Sequence, residues 1–257
     1  MTTTRCTRRR TRTAVVVIGT LLFGMTACSS DESSTSTSAA PTSSSSPSTT
    51  APSVDVTTTS PSTSTEPTDS TVPPPLEQPA IWPASGVVFD DPEMAAADFV
   101  VHVLGVPPVL GPFMPGDSRS GEIELQSPGG SSSGRGTLLL RQLGPASGWF
   151  VTAIANDVAA VTLPAQGDVV PRGALTVEGM AYGFEASVSI AVYLAGEGVA
   201  LDQVTTQAGS MESPGVFSVT LDVSAASSGQ TVMILVRGGV GLETDPGELA
   251  AIAVVVG

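Results

Sequence analysis

His102, Cys6 and Cys28 are the whole stock of imidazole and thiol in this 257-residue chain, and it contains no lysine. Schiff-base and thiol-redox chemistry therefore have no residues to run on. No Cys/His set has metal-ligand spacing, so neither a metal nor a cofactor is expected. A Ser-His-Asp triad would have to be gathered around His102 from distant parts of the chain, and a lone histidine on a helix reads as a packed or surface residue. Carboxylates are what remains for acid–base work. Glu122 and Glu124 alternate with Ile123 and Leu125, which places both acids on the solvated face of a strand, with Arg141 on the returning strand able to pair with them. Asp117, Ser118 and Arg119, bracketed by Gly116 and Gly121, offer a ligand an acceptor, a hydroxyl and a guanidinium. The same three residues also suit a turn held by Asx and Ser hydrogen bonds. They are the candidate ligand-binding loop; no catalytic residue is assigned.

The elements that must position these residues begin near Ile81 and Trp82. Asp90-Asp91-Pro92-Glu93 starts a helix, because an Asp cap accepts orphan N–H groups, proline suits the first turn and acids suit the helix dipole. The helix is expected over residues 92–104, with Met94, Ala97, Val101 and Leu104 as its apolar stripe, widened by Phe99 and Val103, and with Gly105 and Pro107-Pro108 ending it. Strands are expected over 122–125, 137–143 and 149–155, separated by Gly-rich turns, giving one helix and a three-strand antiparallel meander. From about residue 163 the pattern is all-β. Val188, Ile190, Val192 and Leu194 alternate with small or polar residues, as do Phe217, Val219, Leu221 and Val223, while 232–236 and 250–256 are apolar on both faces, like central strands. Six or seven short strands in this half indicate an immunoglobulin-like sandwich without the Cys pair or core Trp of antibody domains.

Charge is distributed unevenly along the chain. Arg5, Arg8, Arg9, Arg10 and Arg12 precede every one of the 24 acids, so a chain starting at Cys28 sets five arginines against 24 acids, a formal charge of −19. That excludes ordinary phosphate-backbone binding, and no nucleic-acid partner is expected. The early arginines followed by the apolar residues 14–25 read as an export leader, too short for the roughly 20 apolar residues that span a bilayer. Met25-Thr26-Ala27-Cys28 resembles a bacterial lipobox, with Met25 in place of the more usual Leu. That resemblance implies cleavage before Cys28, lipid attachment on Cys28 and an extracytoplasmic protein on the outer face of the bacterial membrane. Cys6 leaves with the leader, so no disulfide is expected. Arg8-Arg9-Arg10 suggests twin-arginine export, but no consensus follows it. Residues 29–79 are mostly Ser, Thr, Pro and Ala without apolar periodicity, the composition of a disordered stalk. As polyproline II, at about 3.1 Å per residue, it would reach on the order of 150 Å, and its Ser and Thr suit either a bare linker or O-glycosylation.

Leu163-Pro164, Gly167, Val170-Pro171, Leu175, Val177, Gly179, Ala181, Phe184-Glu185-Ala186 and Gly215-Val216-Phe217 resemble the immunoglobulin-like domain of bacterial spore germination proteins, over roughly residues 163–257. The stretch from Gly179 to Ala186 is the specific part. Gly116 to Gly121 and Arg141-Gln142-Leu143-Gly144 are similar to the companion region of actinobacterial envelope lipoproteins. The resemblance implies a non-catalytic cell-surface binding or accessory module of undefined ligand, with an envelope or cell-wall partner and no necessary role in germination. Gly179, Ala181, Phe184, Glu185 and Ala186 are expected to be structural, Phe184 as a core plug at a strand entrance and Glu185 as the holder of the turn. The expected organisation is a leader over 1–27, a stalk over 28–80, a small α+β domain over 81–160 and an immunoglobulin-like β-sandwich over 161–257. The alternatives to a module are a cell-wall-acting enzyme and a carrier of an apolar ligand between helix and sheet. A cleft lined by converging acids would favour the enzyme, a closed core with a flat polar surface the module.

Overall fold

In the computed structural model, residues 76–130, 134–210 and 213–257 are described. The expected leader, the expected lipid attachment on Cys28 and the expected stalk up to residue 75 lie outside the described residues. Helix α1 (Pro92–Phe99) starts where the Asp91 carboxylate accepts the backbone N–H groups of Glu93 and Met94 at 2.8 and 3.0 Å. It widens into a π-helical stretch, Val100–Leu104, and stops at Gly105, whose φ of +68° closes the last turn. The span matches expectation; the expected stripe holds at Phe99 and Leu104 and fails at Met94 and Val101. Met94 is 62% exposed and Val101 47%, whereas Ala95, Ala96, Phe99, Val100 and Leu104 are buried. The buried face instead runs through Ala96, Val100 and Leu104, with Ala95 and Phe99 beside them, and the small Ala95 and Ala96 allow the helix to lie close on the sheet.

Twelve strands follow: β1 (Met114–Pro115), β2 (Ser120–Gln126), β3 (Gly134–Leu143), β4 (Gly148–Ala155), β5 (Ala160–Leu163), β6 (Val169–Val170), β7 (Ala174–Ala181), β8 (Ser187–Leu194), β9 (Ala200–Gln207), β10 (Gly215–Asp222), β11 (Thr231–Gly238) and β12 (Leu249–Val256). The larger sheet has the order β1-β2-β3-β4-β12-β11-β8-β9, with β6 parallel to β12; the smaller has the order β10-β7-β5. The chain is thus β-rich, with an immunoglobulin-like sandwich preceded by the expected helix and three-strand meander. Strand β9 is hard to see in the sequence because Asp202 and Gln203 interrupt its alternation, and it pairs in the large sheet only with β8.

Strands β11 and β12 join the two halves. Met233, Leu235, Ala251 and Ala253 belong to a core shared with Phe99 and Ile123 on the helix side. Val232, Ile234, Ala250 and Val254 belong to a core shared with Val177 and Leu221 of the smaller sheet. Alternation of successive side chains across a strand divides one apolar run between two cores, which is why both strands read as central. The antiparallel meander meets the sandwich where Ile154 of β4 faces Ala251 of β12, so the sheet continues past residue 160 without a gap.

Strand directions sort the connections into two poles. At the entry pole, Leu76 packs on Ala80, Leu143 and Phe150, the Glu77 carboxylate accepts the Gly144 N–H at 2.9 Å, and the Gly196 N–H donates to the Ile81 carbonyl at 3.0 Å. The β3–β4 and β8–β9 turns and the β10–β11 connection lie there. The far pole, at the opposite end of the ten-residue strand β3 and so roughly 30 Å away, carries the β2–β3, β7–β8, β9–β10 and β11–β12 connections.

Candidate functional site

The far pole is organised by one arginine. Arg135, second residue of β3, donates to Asp245 Oδ2 at 2.7 Å and to Glu248 Oε1 at 2.8 Å. Ser127 Oγ donates to Asp245 Oδ2 at 2.7 Å, the Gly247 N–H to Asp245 Oδ1 at 2.9 Å, and Asn156 Nδ2 to Glu248 Oε2 at 2.9 Å. Ser127, Asp245 and Glu248 are all buried. Burial pushes the Asp245 carboxyl up, but hydrogen bonds from Arg135, the Gly247 amide and Ser127 outweigh it and hold the group below its ordinary value. For Arg135, burial acts downward and the two carboxylates outweigh it, leaving the guanidinium above its ordinary value. Its Nε is buried with no hydrogen-bond partner among the described residues. Arg237 anchors the same β11–β12 connection by donating to the carbonyls of Pro246 (2.6 Å), Asp245 (3.2 Å) and Leu104 (3.3 Å), tying it to the helix end.

Two clefts open on either side of Tyr182 and Glu248. The first, about 370 Å³, is lined by Glu124, Thr137, Asn156 and Asp157; the second, about 210 Å³, by Arg135, Phe184, Val240 and Leu242. Burial, reinforced by the charge of Glu248, raises the Tyr182 phenol above its ordinary value. Between the clefts the β7–β8 turn is fastened through its backbone. The Phe184 N–H donates to Gly239 O at 2.8 Å, Gly239 N–H to Ser187 O at 2.7 Å, Gly183 N–H to Gly209 O at 3.2 Å and Ala208 N–H to Ala186 O at 3.0 Å. A Cβ on Gly183 would strike Ser187 O and the Gly239 nitrogen, so glycine is what lets these connections approach. Glu185 and Ala186 hold φ of +55° and +58°, strain that persists because the surrounding bonds impose it.

These contacts correct part of the motif reading. Phe184 is 49% exposed and lines the second cleft, so it is not a core plug. The buried ring is Phe217, lying where any Cβ on Gly179 would strike it and the Ala160 carbonyl. Ala181 is fully buried. Glu185 is exposed and makes no side-chain hydrogen bond among the described residues; the turn is held by backbone groups instead.

Asp117, Ser118 and Arg119 sit in an exposed turn at the entry pole. Asp117 Oδ1 accepts the Arg119 N–H at 2.7 Å, and this bond, with the hydroxyl of Ser120, holds the carboxyl below its ordinary value. Arg119 donates to Gln142 O at 2.8 Å and lies 3.5 Å from Glu77, so its guanidinium is engaged with β3 and the entering segment. Glu122 and Glu124 share the exposed face of β2, and Arg141 stands opposite Ser120 without an ion pair to either among the described residues. Glu124 alone reaches the first cleft, where it accepts from Gln126 Nε2 at 3.0 Å. His102 stacks on Trp82 with centroids 5.9 Å apart, its Nδ1 2.9 Å from Asp98 O and 3.1 Å from Asp98 Oδ1, while Trp82 Nε1 donates to Asp98 Oδ2 at 2.9 Å. No hydroxyl joins this pair among the described residues, and none of their His, Cys, Asp and Glu side chains cluster in threes able to hold a metal ion.

Arg135, Asp245 and Glu248 escape a sequence reading because they are 110 and 113 positions apart. The available signals were an arginine between two glycines opening a strand, Gly134-Arg135-Gly136, and two acids around a Pro-Gly turn before the last apolar strand. A Cβ on Gly134 would strike the Glu124 carboxylate and one on Gly136 would crowd Ile154 and the Leu249 carbonyl, while the Pro-Gly turn carries both carboxylates to Arg135. No curated protein matches the chain. Residues 158–237, from the edge of the first cleft through β5 to Arg237 of β11, match the family model described as the immunoglobulin-like domain of bacterial spore germination.

Proposed function

We propose that this chain is a lipid-anchored, extracytoplasmic binding or scaffolding protein that presents its far pole to an envelope partner, with Cys28 as the attachment point. The observation that carries this reading is the opposition of the poles. The segment from Leu76, which continues the chain leading from Cys28, is packed on the β3–β4 turn, while both clefts and the family motif lie at the other end of β3. An anchored module needs its recognition surface away from its tether. Arg135, Asp245, Glu248, Ser127 and Asn156 are mutually engaged there, and such pre-organisation lowers the ordering cost of binding. Among the described residues no helix is long and apolar enough to cross a membrane, and a single acylated cysteine supplies the attachment.

Cys28→Ala is expected to release the protein from the membrane fraction or leave it as an unprocessed precursor; mature-sized protein remaining with membranes would overturn the anchor. The meeting of Glu124, Asp157 and Glu248 in the first cleft favours a second reading, a cell-wall hydrolase acting through carboxylates. Incubating purified cell wall with the full-length protein separates the two. A module leaves the wall intact, whereas release of soluble fragments, lost in Glu124→Gln, would establish the enzyme.

A further inference from the structure

We propose that the clefts of the far pole dock an extended basic segment of a partner protein, an inference that rests on the module reading above. The second cleft is a groove between two backbone-fastened connections. The β7–β8 connection contributes Phe184, 49% exposed, and the β11–β12 connection contributes Val240 and Leu242, the latter 52% exposed. Both connections also carry an exposed acid, Glu185 beside Phe184 and Glu243 beside Leu242, and neither acid makes a side-chain hydrogen bond or ion pair among the described residues. Past Tyr182 the first cleft adds the exposed carboxylates of Glu124 and Asp157. Arg135 does not offset this charge, because Asp245 and Glu248 already take its guanidinium. Phe184 and Leu242, apolar wall residues each followed in the chain by an exposed, uncompensated acid, fit a strand whose successive side chains alternate between apolar and cationic, since an extended chain sends neighbouring side chains to opposite sides.

A second copy of this chain cannot supply that strand. The chain has no lysine, and among the arginines after Cys28, Arg119, Arg135, Arg172 and Arg237 are each hydrogen-bonded within the fold, while Arg141 lies in β3, which β2 and β4 already pair on both sides. Two copies also repel one another, each carrying a formal −14 over the full chain. The occupant is therefore another protein. The groove needs little adjustment to receive it, because the Gly183, Phe184 and Gly239 backbone bonds already fix its walls.

The test uses the full-length protein in neutral detergent, with empty micelles as blank. A fluorescein-labelled heptapeptide alternating Lys with Val and Thr is compared, by fluorescence anisotropy, with the same peptide carrying Glu at every Lys. The Lys peptide is expected to bind and the Glu peptide not to. Binding should weaken with added salt and fall about fivefold in the Glu185→Gln/Glu243→Gln protein, as removal of two rim charges implies, without a change in melting temperature. Asp222→Asn, at the other pole, should leave binding unchanged. Absent binding, equal binding of both peptides, indifference to the double substitution, or a dimer by sedimentation that the double substitution dissolves would each overturn the proposal. If envelope association persists while the Lys peptide fails to bind, the basic-segment assignment falls and the module reading stands; if both fail, both fall.

Discussion

Two polar clusters, one at each pole, show how differently the same residue types behave. Asp117, Ser118 and Arg119 are contiguous, exposed and bonded mostly within a few residues of one another. Arg135, Asp245 and Glu248 come from distant parts of the chain, and both carboxylates are buried. The first cluster is conspicuous in sequence because its members are neighbours, and its long-range contacts both run through Arg119, to Gln142 O on β3 and to Glu77 of the entering segment. The second exists only once β3 and β12 are in place, and it sets the shape of both clefts. Solvent accounts for the energetic difference: exposed pairs are screened and contribute about 0–1 kcal/mol, whereas stripping the partner from a buried charge costs about 3–5 kcal/mol.

The largest effect that would sharpen this contrast is Arg135→Ala, which leaves Asp245 and Glu248 buried without a countercharge. A loss of about 3–5 kcal/mol in chemical denaturation is expected. Phe99→Ala should cost a similar ~3–5 kcal/mol, because the ring is fully buried between helix and sheet. Phe184→Ala, at a half-exposed ring of the cleft, should shift stability by no more than about 0.5–1 kcal/mol. A large loss at Phe184 with a small one at Phe99 would reverse the assignment of which aromatic supports a core.

Acid offers an intermediate test. The folded Asp245 carboxyl lies below its ordinary value of 3.8, so the folded state binds that proton less readily than the unfolded chain does. The stabilisation it contributes is present above pH 3.8 and is lost as pH falls through the lowered folded value. In Asp245→Asn that part of the acid-induced loss should disappear from a pH series of unfolding curves; an unchanged series would remove Asp245 from the network. The smallest effect belongs to the conspicuous cluster: Arg119→Ala should cost no more than about 1 kcal/mol, read in the same denaturation experiment.

Where a rule acts over a few residues, the fold was legible. The Asp91 cap, the alternation of β8 and the two-faced runs of β11 and β12 each depend on near neighbours or on a period that needs no partner to be seen. The helical stripe is legible at Phe99 and Leu104 but not at its start, where Met94 is the larger apolar residue and yet the small Ala95 and Ala96 are what the sheet buries. Phe184 reads as a core plug in the sequence because an aromatic at a strand entrance has no mark separating it from Phe217, which the smaller sheet buries against Gly179. Of the far-pole site, the Gly179 to Ala186 motif was visible, but its role in tying the β7–β8, β9–β10 and β11–β12 connections together depends on strand order.

The most direct test of the claim that distant segments are locked into one site by buried charge is a double-mutant cycle with Arg135→Ala, Asp245→Ala and the two combined. The network predicts a coupling of about 1–3 kcal/mol, with the double substitution costing clearly less than the two single losses together. Losses that add to within about 0.5 kcal/mol would show that Arg135 and Asp245 do not act as a pair, and would contradict the account.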